Sequence, residues 1–121
     1  MSLLSEIGEI CGSSERLEKC VGFLFERNGR GFSAHAMAIQ TGLSFEDALV
    51  AAMLLSRRKK ASRLWSIYHE CSEHRVSSRP FSEGFQPVPW RCPDCQREVI
   101  DPNALTYELN FLLTGDFNYA D

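Results

Sequence analysis

The chain has 121 residues, 44% hydrophobic and 24% charged, with a formal net charge of −3. That is the length of one average domain or two very small ones, and the composition excludes global disorder. The slight acidic excess excludes a generally polycationic nucleic-acid coat, though not a local basic patch.

Met1–Ile10 lacks a basic leader and a continuous apolar run, because Glu6 and Glu9 interrupt it. No stretch reaches the roughly 20 apolar residues of a membrane span, and neither end carries a lipidation motif. The expected protein is soluble and cytoplasmic, with no membrane association. Its five cysteines are an odd number. With no secretory signal, that count argues against a disulfide framework and for metal binding in a reducing compartment.

Charge is uneven: residues 1–29 are net −2, residues 30–66 net +4 and residues 67–121 net −5. Only Cys11 and Cys20 lie outside the last section. This predicts two small modules: an N-terminal segment 1–12, a helical module 13–70, a second module 71–113 and a tail 114–121.

In the first module, Ser13 or Ser14 caps a helix whose apolar positions are Leu17, Cys20, Val21, Leu24 and Phe25, one face of a 3.6-residue period. Asn28-Gly29 ends it. A short helix spans Ser33 to Gln40, and Gly42 stops it. Ser44 opens a longer helix with Asp47 in a capping-box-like position, a core face of Phe45, Ala48, Leu49, Ala52 and Leu55, and a cationic end at residues 57–60. Ala61–Cys71, with Trp65, Ile67 and Tyr68, reads as strand.

This order resembles a winged helix-turn-helix domain over residues 13–70. Gly31-Phe32 matches its first strand, Ser33–Gln40 its second helix, Thr41-Gly42-Leu43 its turn, Ser44–Arg58 its third helix and Ala61–Glu70 a wing strand. The fold class expected is therefore α+β, a winged helix-turn-helix followed by a small zinc-ribbon-like β module.

The second module is loop-rich. It ends in a segment where Leu105, Tyr107, Leu109, Phe111 and Leu113 alternate with other residues, the period of a strand. Cys71-x2-His74 and Cys92-x2-Cys95 form two ligand pairs, the arrangement of a structural zinc site, with His69 as the rival to His74. One Zn²⁺ per chain is expected. Only 13 of residues 71–113 are sizeable hydrophobes, so a module this small needs a staple. Gln96 stands where ribbons often have glycine. A [Cys]-x-Glu at Cys71–Glu73 imitates a zinc deaminase, but Arg91 precedes Cys92 and a fourth protein ligand would close the catalytic position. No catalytic residues and no cofactor other than zinc are expected.

A winged helix reads DNA with the outer face of its third helix. Outside the expected core, that helix offers Glu46, Asp47, Val50, Ala51 and Leu54. Acids stand where base contacts begin, and the middle of the helix carries no Arg, Asn or Gln to read bases. Val50, Ala51 and Leu54 form an apolar stripe suited to a protein partner, or buried against the chain's own N-terminal segment or zinc module. Arg57, Arg58, Lys59, Lys60 and Arg63 are the candidate DNA phosphate contacts. Cys11 and Cys20 read as ordinary thiols.

A winged helix followed by a zinc ribbon is similar in architecture to the transcription factor E alpha family, on module order and the ligands Cys71, His74, Cys92 and Cys95. His74 departs from that family's four-cysteine ribbon. The resemblance implies a protein-binding role beside polymerase or DNA. The expected function is a non-enzymatic adaptor or regulator that binds a partner protein through the third helix and zinc module. The alternative is a DNA-binding transcriptional regulator. A homodimer is compatible with either.

Overall fold

The computed structural model describes residues 2–114. It is mixed α+β, and the order of helices and strands follows local chemistry. Four helices are each opened by a serine whose side-chain oxygen accepts a backbone N–H: α1 Leu3–Cys11 by Ser2, α2 Ser14–Glu26 by Ser13, α3 Ala34–Thr41 by Ser33 and α4 Phe45–Arg57 by Ser44. Gly12 and Gly42, at φ +76° and +80°, end α1 and α3 in the left-handed conformation that glycine adopts without steric cost. At the end of α4 the same role falls to Lys59, at φ +60°. Lys60 N–H donates to Leu55 O at 2.8 Å and Lys59 N–H to Ser56 O at 3.0 Å, a Schellman closure.

The strands are β1 Gly31–Ser33, β2 Ala61–His69, β3 Ser77–Pro80, β4 Trp90–Arg91, β5 Glu98–Val99 and β6 Leu105–Leu113. The neighbour order is β1-β6-β2-β3, and β4 and β5 form a separate hairpin. β3 pairs antiparallel to β2 with Trp65 opposite Arg79, and β4 pairs antiparallel to β5 with Trp90 opposite Val99. Short 3-10 turns occupy Phe81–Glu83 and Pro102–Ala104.

The chain divides into two compact units, residues 1–62 with 111–121 and residues 63–110. The division is nested where the sequence suggested consecutive modules meeting at residues 70 and 71. It falls inside β2 and β6, because a strand can serve two cores along its length and composition does not mark the change. Within the expected N-terminal segment 1–12, Leu3–Cys11 is helix α1, packed in the first unit. Of the expected tail, residues 115–121 lie outside the described residues. Among the described residues, no single helix is long and apolar enough to cross a membrane.

The first unit's core is set by packing partners. Phe32 meets Phe23 edge-on at 5.4 Å and stacks on Phe111 at 5.7 Å. This makes Phe23 a buried residue of α2 together with Cys20 and Leu24, while Phe25 is exposed, contrary to the expected stripe. α4 packs against both α3 and α1. Two neighbours widen its buried arc beyond one stripe, so Ala48, Ala51, Ala52, Leu54 and Leu55 are all buried and Phe45 is not. α1 contributes Leu3, Ile7 and Cys11 to the core, spaced four apart on one face. An ion pair between Glu6 and Arg58 ties it to the end of α4.

The second unit is built around a small core of Ile67, Cys92, Val99 and Leu105, with Cys71, Trp90, Cys95 and Tyr107 packed against it. On its other side Ser66 accepts from Asn110 at 2.6 Å and Tyr68 donates to Glu108 at 3.3 Å. Three cysteines thus belong to the core of a unit that has few other large buried residues.

Candidate metal centre

Two pieces of regular structure supply the ligands. β2 ends at His69, and Cys71 follows in the turn. Residues two apart at a strand end point to the same face, so His69 and Cys71 are presented together, beside Ile67. The second pair lies in the turn of the β4–β5 hairpin. Cys92 N–H donates to Arg97 O at 3.0 Å, and Gln96 N–H donates to Cys92 O at 2.9 Å. Gln96 takes φ +64°, the position where the ribbon pattern calls for glycine. Its side chain donates to Pro93 O at 3.0 Å, and Arg91 donates to Gln96 O at 2.7 Å. Local hydrogen bonds therefore hold a left-handed turn that a non-glycine residue resists.

The donor atoms of His69, Cys71, Cys92 and Cys95 all lie within 4.8 Å of one another. Cys71 Sγ is 3.7 Å from Cys92 Sγ, and Cys95 Sγ is 3.6 Å from His69 Nδ1. A tetrahedral ion with bonds of about 2.3 Å to sulfur and about 2.05 Å to nitrogen requires edges of about 3.8 Å and about 3.6 Å. Both measured edges fit. The residues can hold a metal ion, and all four positions of the tetrahedron are protein side chains.

The fourth member of the cluster is therefore His69, the rival, and not His74. His69 is 7% exposed. His74 is exposed, and its backbone N–H donates to Ser72 Oγ at 3.1 Å. The Cys-x2-His spacing favoured His74 because it fits a turn. The signal that favoured His69 was its place on the inward face of a strand, two residues before Cys71.

The thiols are strongly polarised. The Arg97 backbone N–H holds Cys95 down at about 6, against desolvation that raises it. Desolvation, followed by hydrogen bonds with Cys92 and Cys95, pushes Cys71 up to about 12. Crowded thiols of this kind do not all ionise alone, and a divalent cation supplies the positive charge that lets them do so. Cys71 also lies 3.9 Å from Asp94 Oδ2.

A shallow cleft of about 190 Å³ adjoins the centre, lined by His69, Glu70, Arg97, Glu98 and Asp101 among others. His69 is the only one of the four ligands that lines it. Glu73, the would-be proton carrier of a deaminase, is exposed and is not among the four residues of the cluster.

The candidate partner and DNA residues are scattered. Ala51 and Leu54 are 0% and 8% exposed, so they are core residues and no docking stripe; Val50 is 48% exposed. Burial by α1 and α3 is the physical reason. The outward side of α4 instead carries Glu46, Val50 and Arg57, with Leu49 and Met53 half-buried between them. Among the cations, Arg58 pairs with Glu6, and the Arg63 guanidinium lies 4.4 Å from the Phe81 ring centre. Arg57 and Lys59 are exposed, and Lys60 is half-buried.

Comparisons with protein-family models, curated proteins and solved structures find no match to this chain.

Proposed function

We propose that this chain is a cytoplasmic, non-enzymatic adaptor of winged-helix type, stapled by one structural Zn²⁺, which binds a partner protein through the outward side of α4 and the zinc-bearing unit. The closed three-sulfur, one-nitrogen donor set supports zinc, the usual occupant of such tetrahedra, and a structural role for it. The order α2, β1, α3, turn, α4, β2 supports the winged helix. β6 pairs beside β1 and β2, and Cys71, Cys92 and Cys95 lie in the connection between β2 and β6, which supports reading that connection as an elaborated wing. The similarity to the transcription factor E alpha family accordingly rests on the three cysteines Cys71, Cys92 and Cys95 alone, since a histidine stands where that family has a fourth cysteine and the second unit is nested and not appended.

The observation that carries the adaptor reading is the exposed side of α4. It presents Leu49, Val50 and Met53 behind two acids, Glu46 and Asp47. An apolar centre with no base-reading side chain suits a protein surface, and carboxylates at the helix start repel phosphate. The rival, a DNA-binding regulator, rests on exposed Arg57 and Lys59.

Two assays on the same protein separate them. Affinity capture from the native host should recover a partner that Val50→Glu loses while the fold is kept. A gel shift at low and moderate salt should show no retained DNA. Salt-sensitive DNA binding lost in Arg57→Ala/Lys59→Ala, with capture unaffected by Val50→Glu, would overturn the adaptor.

A further inference from the structure

Cys11 and Cys20 take no part in the metal centre. Cys11 is the last residue of α1 and Cys20 lies inside α2, and they are 1% and 0% exposed. Between them Gly12 turns the chain in the left-handed conformation and Ser13 caps α2. The fold-back brings the two sulfurs to 3.2 Å, with the Cys11 thiol donating to Cys20. Thr41 of α3 is fully buried beside them; its hydroxyl donates to Met37 O at 2.6 Å and accepts from Leu43 N–H at 3.4 Å. A disulfide needs the sulfurs about 1.2 Å closer.

Both thiols are shielded while α1 is seated, and burial, with the Cys11 hydrogen bond, keeps Cys20 protonated, its pKa pushed up to about 12. α1 has nine residues, too short to persist as an isolated helix. Its seat is Leu3, Ile7, Cys11 and the Glu6–Arg58 ion pair. Release of α1 wets both sulfurs at once, and reseating brings them together again.

We propose that Cys11 and Cys20 form a dithiol–disulfide pair, oxidised by a low-molecular-weight disulfide such as glutathione disulfide, which fastens α1 covalently to α2. One cysteine thiolate attacks a sulfur of glutathione disulfide, forming a mixed disulfide and expelling glutathione thiolate. The second cysteine thiolate attacks the protein sulfur of that mixed disulfide and expels the other glutathione thiolate. The two cysteine protons end on the two glutathiones, so two thiols and one disulfide become one protein disulfide and two thiols. The pair is independent of the metal and of the adaptor reading.

The test uses the zinc-loaded full chain, equilibrated with equal parts of reduced and oxidised glutathione, quenched in acid, alkylated and digested with trypsin. Cleavage after Arg16 and Lys19 separates the two cysteines, so the bridge reads as one cross-linked peptide pair, reversed by dithiothreitol. The expected result is that this pair is the dominant protein disulfide and zinc content is unchanged. Glu6→Ala, which loosens α1, should speed its formation about two- to fivefold. Both cysteines recovered as free thiols or glutathione adducts, or either bridged to Cys71, Cys92 or Cys95, would overturn the pair. A rate unmoved by Glu6→Ala would overturn gating by α1.

Discussion

Replacing His69 should cripple metal binding, and replacing His74 should not. The measured edges of 3.7 Å and 3.6 Å lie within about 0.1 Å of those required by a tetrahedral zinc ion. The apparent free energy of structural zinc in small domains is about 10–16 kcal/mol at neutral pH. Shared evenly over four ligands, the loss of one is about 2.5–4 kcal/mol, or roughly 10²–10³-fold in Kd. His69→Ala should weaken zinc by that factor in competition with a chromophoric chelator at pH 7. His74→Ala should stay within about twofold, the level of an ordinary surface change. His69 is buried, so part of the loss in His69→Ala reflects lost packing. His69→Cys separates the two effects, because a fourth thiolate restores a closed tetrahedron without restoring the imidazole's bulk. It should recover most of the affinity. Tight zinc binding by His69→Ala together with its loss in His74→Ala would refute the assignment.

Other consequences can be checked directly. In chelator, metal-free protein should gain thermal stability from pH 6 to pH 9. Cys95 is held near 6 in the fold, against an ordinary value of 9.0, so its contribution is fully present above 9 and is lost as pH falls toward 6. Cys71, raised from 9.0 to about 12, contributes stability that is full well below 9 and starts to fall only as pH reaches 9, so it blunts the gain at the top of the window without reversing it; Cys95→Ser should remove the gain in a pH series of melting curves. Lys59→Gly should stabilise by about 0.5–1 kcal/mol, since relief of a left-handed non-glycine residue exceeds the entropy cost of glycine; a lowered Tm would contradict the Schellman closure. Val50→Glu should leave stability within about 0.5 kcal/mol, whereas Ala51→Glu, at a fully buried position, should unfold the first unit in circular dichroism.

Much of the local structure was legible in the chain. Ser13, one of two expected candidates, and Ser44 cap their helices as expected, and Ser33 caps α3 where the helix was expected to begin, because a cap needs only its own next turn. The alternation from Leu105 to Leu113 is a strand, since period 2 leaves no helical face. The Cys92-x2-Cys95 knuckle is a closed turn whose ligands are adjacent in sequence. Gln96 at φ +64° sits where the sequence already departed from glycine.

Spacing grouped Cys71 with Cys92 and Cys95 correctly, but it left open or misjudged which neighbours several other side chains meet. The order and ends of the helices, the final strand and the presence of a cysteine-rich ligand set follow from interactions spanning a few residues, and the amino-acid order contains those in full. Whether Ala51 and Leu54 face water depends on α1 arriving at α4 from over forty residues away, with Glu6 meeting Arg58. Whether His69 or His74 completes the metal centre depends on the direction in which β2 delivers its last residues toward the β4–β5 hairpin. The nesting of one unit within the other depends on β6 returning beside β2. Burial, coordination and strand pairing are long-range relations. One-dimensional spacing narrows them to a few candidates, and only three-dimensional packing chooses among these.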